Sequence, residues 1–284
     1  MMDVTLTLMC NNRCSICARR DYLSMIACRS KKDMARAVRA ARHHSDNIVL
    51  SGGEATLLKN LKDVVLLCRA LKFTHIGLIS NGRLLKNMPF AVELADSGID
   101  DFAISLHSFD EEVHDEMTRR PGSARESKKG VRNLLKLSEQ RAISFRINLV
   151  LAKANAETIP CTIRRLSHWG VNNFILAEQI ILAGKNQNTL SLEEIRMRLE
   201  AVNDIALEEG VTIRLRGFAP CLMPGKIKKF LSHEPHNVNT FEKPGAKKNA
   251  YLRSFQNIFT KTDECRGCHH NATCPGLQKG YLHI

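Results

Sequence analysis

Short β-rich runs alternate with amphipathic helical stretches from about residue 4 to about residue 210, and that regularity leaves few folds open to the chain. The runs predict strands over 4–9, 48–51, 75–80, 101–105, 144–151 and 172–176. The helical stretches predict helices near 32–43, 58–71, 90–96, 124–140 and 158–169. Val64, Leu67, Cys68 and Leu71 show the buried stripe of one of them. Gly98, Gly170 and Gly210 follow helical stretches, where a left-handed helix-ending conformation costs glycine little. Each opens a similar phrase (GIDDFAIS, GVNNFILA, GVTIRLRG), a weak internal repeat of helix end, turn and strand. Ser191 and Glu194 form a capping box that starts a further helix running toward Glu209. Six βα units predict an α/β chain, either a partial (βα)6 barrel of the TIM type or an open doubly wound sheet, and periodicity alone does not choose between them. Past Gly217 the alternation stops, and Pro220, Pro224, Pro235 and Pro244 punctuate a basic, irregular stretch. We therefore expect a barrel over 1–212 and a small C-terminal domain over 213–284.

No run approaches the roughly 18 apolar residues that a membrane span needs. The most apolar stretch, 174–184, is interrupted by Glu178 and Gln179. Residues 1–9 lack a basic start and carry Asp3, unlike a secretory signal. These features lead us to expect a soluble, cytoplasmic protein without a membrane partner. Ten cysteines are many for 284 residues, and six of them lie in two tight clusters near the chain ends, a pattern that favours metal over disulfides in a reducing compartment. The formal charge of +13 suits an acidic partner such as a phosphorylated metabolite, a nucleic acid or an acidic peptide. A merely solubilising surface is the alternative.

Directly after the first predicted strand stands CNNRCSIC, that is Cys10-x3-Cys14-x2-Cys17. Three thiolates so close together can wrap one small inorganic core. A cubane held by three protein ligands leaves one iron open, where substrate or cofactor can bind. A structural zinc loop with a distant fourth ligand is the competing reading. In parallel α/β barrels the chemistry collects at the carboxyl ends of the strands. Ser51-Gly52-Gly53-Glu54 follows the second strand, Asn81-Gly82 the third, Ser105 and His107 the fourth, and Glu178 the sixth. Polar groups suited to a small polar cofactor thus share one rim with the triad.

The triad after strand one and Gly-Gly-Glu after strand two resemble the signature of the radical S-adenosylmethionine (SAM) superfamily. Residues 105–134 are similar to the segment after strand four in that family, and 148–159 to its fifth strand and exit. The resemblance covers roughly 4–185. It implies that Cys10, Cys14 and Cys17 ligate a catalytic [4Fe–4S] cluster whose fourth iron is chelated by SAM. It implies further that Gly52 and Gly53 admit the methionine part of SAM and that Glu54 helps hold its amino group. Asn81 and Ser105 match positions near the ribose or carboxylate, Asn148 is a candidate on strand five, and Leu176 is a candidate adenine contact. Ile16 replaces the family's common aromatic residue before the third cysteine, and an aliphatic side chain can still cover adenine. Arg125 and Lys128 are both candidates for a basic residue that meets the cofactor carboxylate.

The tail carries Cys265-x2-Cys268-x5-Cys274, with Cys221 some forty residues earlier. Four thiols can fully ligate a second [4Fe–4S] cluster. The pattern resembles the auxiliary-cluster extensions (SPASM or twitch type) of several radical SAM subfamilies. A four-cysteine zinc site, with His269 or His270 replacing a thiol, is the competing reading. Either metal would couple folding of this segment to its binding. Cys68 and Cys161 read as ordinary buried residues. Cys28 is a candidate hydrogen donor near the site.

The resemblance implies an enzyme that cleaves SAM reductively and abstracts hydrogen from a peptide or a small metabolite, phosphorylated or not. The auxiliary cluster would serve electron transfer in an oxidation, crosslink or epimerisation. The reductant would be a flavodoxin or ferredoxin. RNA modification would suit the basic charge, but aromatic residues for stacking are few, and nucleic acid is the less favoured partner. A non-catalytic iron–sulfur or zinc protein binding nucleic acid would have no use for Gly-Gly-Glu on the same rim.

Overall fold

A computed structural model describes residues 1–17, 30–181, 189–223, 231–234 and 258–282; Cys28 lies outside them. Among these residues eight strands, all parallel, form one sheet in chain order. They are β1 (Met2–Thr7), β2 (Asn47–Gly52), β3 (His75–Ser80), β4 (Asp101–Ser105), β5 (Ser144–Leu151), β6 (Asn173–Glu178), β7 (Thr212–Arg216) and β8 (Leu231–Glu234). A doubly wound sheet needs a reversal of strand order, and none occurs here, so the fold is the partial barrel. The helices are α1 (Lys31–Arg42), α2 (Leu61–Ala70), α3 (Met88–Ser97), α4 (Glu111–Thr118), α5 (Ser123–Ser138), α6 (Ile159–Ser167) and α7 (Leu192–Glu209).

Alternation along the strands decides which face the helices cover. Leu6, Leu50, Leu78, Ile104, Leu149, Leu176 and Leu215 join Val38, Val65, Leu94, Leu134, Ile163 and Leu199 of the helices in one core. Burying each such side chain contributes about 1.5–3 kcal/mol. Intervening positions face inward and are largely polar: Asp3 and Ser51 hydrogen-bond across β1–β2, and Arg146 Nη1 pairs with Asp101 Oδ1 at 2.6 Å. Gly98 and Gly210 end α3 and α7 with positive φ, and the expected capping box at Ser191 is formed.

Two features extend what the sequence led us to expect. First, the sheet has eight strands rather than six, and the expected boundary between 212 and 213 falls inside β7. Ile213 and Leu215 pack in the core while Arg214 and Arg216 occupy the other face, the alternation of a strand buried on one side. Second, α4 stands in a stretch for which no helix was predicted. Asp110 caps it by accepting from the backbone N–H groups of Glu112 and Val113 at 2.9 and 3.1 Å. Beyond the sheet, β9 (Phe259–Thr260) and β10 (Leu277–Gln278) form a small antiparallel pair. Gly276 is required there, with φ of +98° and a Cβ position only 2.0 Å from Thr260 O. Among the described residues no helix is long and apolar enough to cross a membrane.

Candidate active site

Cys10, Cys14 and Cys17 lie on the loop leaving β1, and the rest of the barrel rim is built to hold that loop. Gly53 N–H donates to Thr7 O at 2.8 Å and Glu54 N–H to Met9 O at 2.7 Å. A Cβ on Gly52 would stand 2.5 Å from Thr7 O, and one on Gly53 would stand 2.3 Å from Met9 O. The clearance that glycine provides is therefore used by the chain itself, to lay the exit of β1 on the exit of β2.

Glu54 is 1% exposed, and both of its carboxylate oxygens already accept from the protein. Oε1 takes Thr56 N–H (3.2 Å), Thr56 Oγ1 (2.6 Å) and Ser80 Oγ (2.8 Å), while Oε2 takes Asn81 N–H (2.7 Å). Burial pushes its pKa up against these four bonds. Asn81 passes the frame onward: its Nδ2 donates to Asn11 Oδ1 at 2.6 Å, and its carbonyl accepts from Ser127 Oγ at 2.7 Å. Glu54 and Asn81, expected to touch the cofactor, thus tie together the ends of β1, β2 and β3.

From the other side, the last carbonyls of α4, which a helix leaves unpaired, accept from the cysteine loop. Arg13 N–H donates to Thr118 O at 2.9 Å and Ser15 N–H to Met117 O at 2.8 Å. Arg83, which sequence reasoning missed, is 8% exposed and donates to Asn11 O (2.7 Å), Asn12 Oδ1 (2.9 Å) and Glu126 Oε2 (2.6 Å).

The donor set suits an iron–sulfur cluster with one iron left open. Three thiols share one short loop, and Asn12 N–H donates to Cys10 Sγ at 3.3 Å, a bond that favours a thiolate. Protein atoms packed around the Cys10 thiol push its pKa up although the residue as a whole is exposed. Asn12 and Arg83 oppose that rise, while Glu54 and Cys17 add to it. Among the described residues no three His, Cys, Asp or Glu side chains are grouped for a single metal ion. Ile16 is half-buried on the same loop.

Ser105 and Asn148 are register partners across β4–β5 on the inner face, with Arg214 two strands further along the same row. Asn148 Oδ1 is buried and accepts no hydrogen bond among the described residues, as expected where a ligand hydroxyl would supply the donor. Leu176 requires a correction. It is fully buried in the helix-facing core, and its neighbours Ile175 and Ala177 take the inner face. A strand alternates with period two, so an assignment one residue out of step reverses the side chain's direction.

The remaining rim residues have structural partners. His107 Nδ1 accepts from Val150 N–H at 3.3 Å, and His114 Nδ1 accepts from His107 N–H at 3.1 Å. Burial lowers His107 to about 3 and His114 to about 4, so both rings are neutral near pH 7. Glu178 faces away from the lumen and accepts from Tyr281 OH at 2.9 Å; burial raises its pKa to about 7. Lys128 pairs with Glu111 at 2.8 Å and donates to Phe109 O, whereas Arg125 is exposed. Cys68 is buried as expected, but Cys161 is exposed, because α6 turns Ile159, Thr162, Ile163 and Leu166 inward instead.

The C-terminal cysteines lie on two stretches of chain that approach each other. Burial raises the Cys221 thiol, and the charges of Cys274, Cys265 and Cys268 raise it further, so each of those three thiols lies within electrostatic reach of Cys221. Backbone N–H groups again point at sulfur: His270 N–H to Cys268 Sγ and Gly276 N–H to Cys274 Sγ, both at 3.4 Å. His269 and His270 are exposed. Gln278, also missed in the sequence, anchors the segment: its Oε1 accepts from Ile181 N–H at 2.8 Å and its Nε2 donates to Gln179 O at 2.9 Å.

Comparison with known proteins agrees with this layout. A probable GTP 3′,8-cyclase of Saccharolobus islandicus is 27% identical over 178 residues, 62% of this chain and 56% of that relative. One from Sulfurisphaera tokodaii is 26% identical over 223 residues, 76% of this chain and 66% of the relative. The matches thus span between about half and two thirds of these curated relatives. Among solved structures, Streptococcus suis SuiB bound to precursor peptide SuiA has a TM-score of 0.69 at 17% identity, covering 99% of this chain and 72% of that one. Native anSMEcpe with bound AdoMet and Kp18Cys peptide has a TM-score of 0.67 at 15% identity, covering 99% and 89%. At those identities the structural likeness shows the fold alone. The family model of the radical SAM superfamily, however, matches residues 4–166, more than half of the 284, and so this chain belongs to that superfamily of enzymes.

Proposed function

We propose that Cys10, Cys14 and Cys17 hold the [4Fe–4S] cluster that membership of the superfamily implies, and that SAM binds over the inner face beside Ser105 and Asn148. A cluster held by those cysteines would supply the electron for reductive cleavage of SAM, the chemistry that would lead to hydrogen abstraction from a substrate. The protein's own part is positional. Glu54, Asn81 and Arg83 fix the loop, Ile16 lies beside the thiols, and Asn148 Oδ1 offers an acceptor to a cofactor hydroxyl.

We assign Cys221, Cys265, Cys268 and Cys274 a second, fully ligated cluster that carries the electron released by a net oxidation. The spacing of the three C-terminal cysteines, the approach of their thiols to Cys221 and the backbone N–H groups that donate to Cys268 and Cys274 support this reading. The substrate we favour is a peptide, because SuiB and anSMEcpe, which align with 99% of this chain, have each been determined with a peptide bound. A nucleoside triphosphate is the second reading, favoured by the GTP cyclase names of the curated relatives and by the +13 charge. The test is anaerobic reconstitution followed by 5′-deoxyadenosine release in the presence of GTP or a synthetic peptide library. Peptide-stimulated release with a mass change in the peptide supports the first reading; conversion of GTP overturns it.

A further inference from the structure

Arg83 carries a charge into a site where few charges are tolerated. A buried guanidinium costs several kcal/mol unless paired, and this one is paired with Glu126 through Nε while its Nη1 turns to the cysteine loop. Its Nη1 reaches Asn11 O at 2.7 Å and Asn12 Oδ1 at 2.9 Å, the two residues that follow Cys10 in the loop, and its Nε reaches Glu126 Oε2 at 2.6 Å. Its own N–H is held by Asn81 Oδ1 at 3.1 Å, within the network that ends on Glu54. Glu126 is shared with Lys86, so one carboxylate serves two cations.

The place is built for this reach. Gly82 turns the chain with φ of +75°, and Gly130 of α5 packs so closely on the turn that a Cβ there would lie 2.2 Å from Gly82 O. We propose that Arg83 is a positioning residue for the cluster: it sets the conformation of the Cys10–Cys17 loop and, as a buried cation beside it, raises the cluster's reduction potential. The inference rests on the reading of those cysteines as cluster ligands. A reduced cluster carries one more negative charge, and a fixed cation nearby stabilises that state more than the oxidised one. The planar fork of arginine serves three acceptors in different directions, which a lysine ammonium on a flexible stem does not reproduce.

The test uses the full reconstituted chain and follows the EPR signal that changes when SAM is added, since only a cluster with an open iron responds. Arg83→Gln is expected to lower the midpoint potential of that signal. Glu126→Gln, which removes the counter-charge and leaves the cation, is expected to raise it. Arg83→Lys should return the potential toward that of the wild type while leaving an altered SAM-induced line shape. Opposite shifts are a result that general loosening of the loop would not produce. Unchanged potentials, or shifts of the same sign, in variants that load iron and respond to SAM would overturn this role for Arg83. A wild-type chain that loads iron but shows no SAM-responsive signal would instead overturn the cluster reading and this inference with it.

Discussion

The two thiol sites of this protein are held in contrasting ways. The loop carrying Cys10, Cys14 and Cys17 is bonded to the ends of β2 and β3, to the end of α4, and through Arg83 to α5. Among the described residues, the segment carrying Cys265, Cys268 and Cys274 reaches the barrel through Gln278, Tyr281 and a few packed apolar residues, and its regular structure is a two-stranded ribbon of four residues with two short 3-10 turns. An isolated ribbon of that size is marginal in water. The difference teaches that the first site is shaped by the fold, whereas the second has little of its own to order it, so that the metal proposed there would supply much of its order.

Withholding iron should therefore have its largest effect on the second site. In the apo chain, amide exchange across 258–282 is expected to reflect a loss of about 3 kcal/mol or more of local stability, while 75–86 and 111–127 keep their protection. Equal loss in both regions would erase the contrast. Glu54→Ala attacks the first site directly. It leaves the Ser80 hydroxyl and the Asn81 N–H without their acceptor in a buried place, at an expected cost of about 3–5 kcal/mol in urea unfolding. A cost under about 1 kcal/mol would show that the frame is not held as described.

Protons sharpen the comparison further. Glu178 beneath the C-terminal segment has its pKa raised to about 7, so the folded state keeps its proton to higher pH than the unfolded chain does. Its contribution is present below about pH 4.5 and is lost as the pH rises through 7. His107 and His114, lowered to about 3 and 4, act in the opposite sense and cost stability as the pH falls below 6.5. Glu178→Gln keeps an acceptor for Tyr281 and removes the charge. The stability difference between this variant and the wild type should therefore grow in the variant's favour from pH 5 to 8, by an amount of order 3 kcal/mol. A flat difference would contradict the raised pKa. Tyr281→Phe should cost the least, about 1 kcal/mol, read as local exchange near 277–282 with the barrel unmoved.

Much of this was legible in the residues because the signals are periodic or clustered. The bounds of β3, β4 and β5 match the predicted ones, since apolar alternation between turn residues marks them. The triad and Gly-Gly-Glu are contiguous motifs. Arg83 was not legible, because a single arginine after Asn-Gly carries no pattern and its partners Asn11 and Glu126 are 72 and 43 residues away. Leu176 and Cys161 were misplaced because each belongs to an element whose existence was clear but whose rotational phase was not. Helix α4, by contrast, could have been read from Asp110 and the two glutamates after it, a cap with an acidic first turn. Gln278 and Tyr281 follow the last cysteine in a stretch without periodicity, so their docking on β6 is a tertiary fact only.

We propose two separate iron–sulfur sites, of which only the first cleaves SAM. The most direct measurement is iron and 5′-deoxyadenosine in three reconstituted chains: wild type, Cys10/Cys14/Cys17→Ala, and Cys265/Cys268/Cys274→Ala. The expected result is about eight irons in the wild type and about four in each variant, with SAM cleavage lost from the first variant and kept by the second. Cleavage that survives removal of Cys10, Cys14 and Cys17, or zinc in place of iron at both sites, would contradict it.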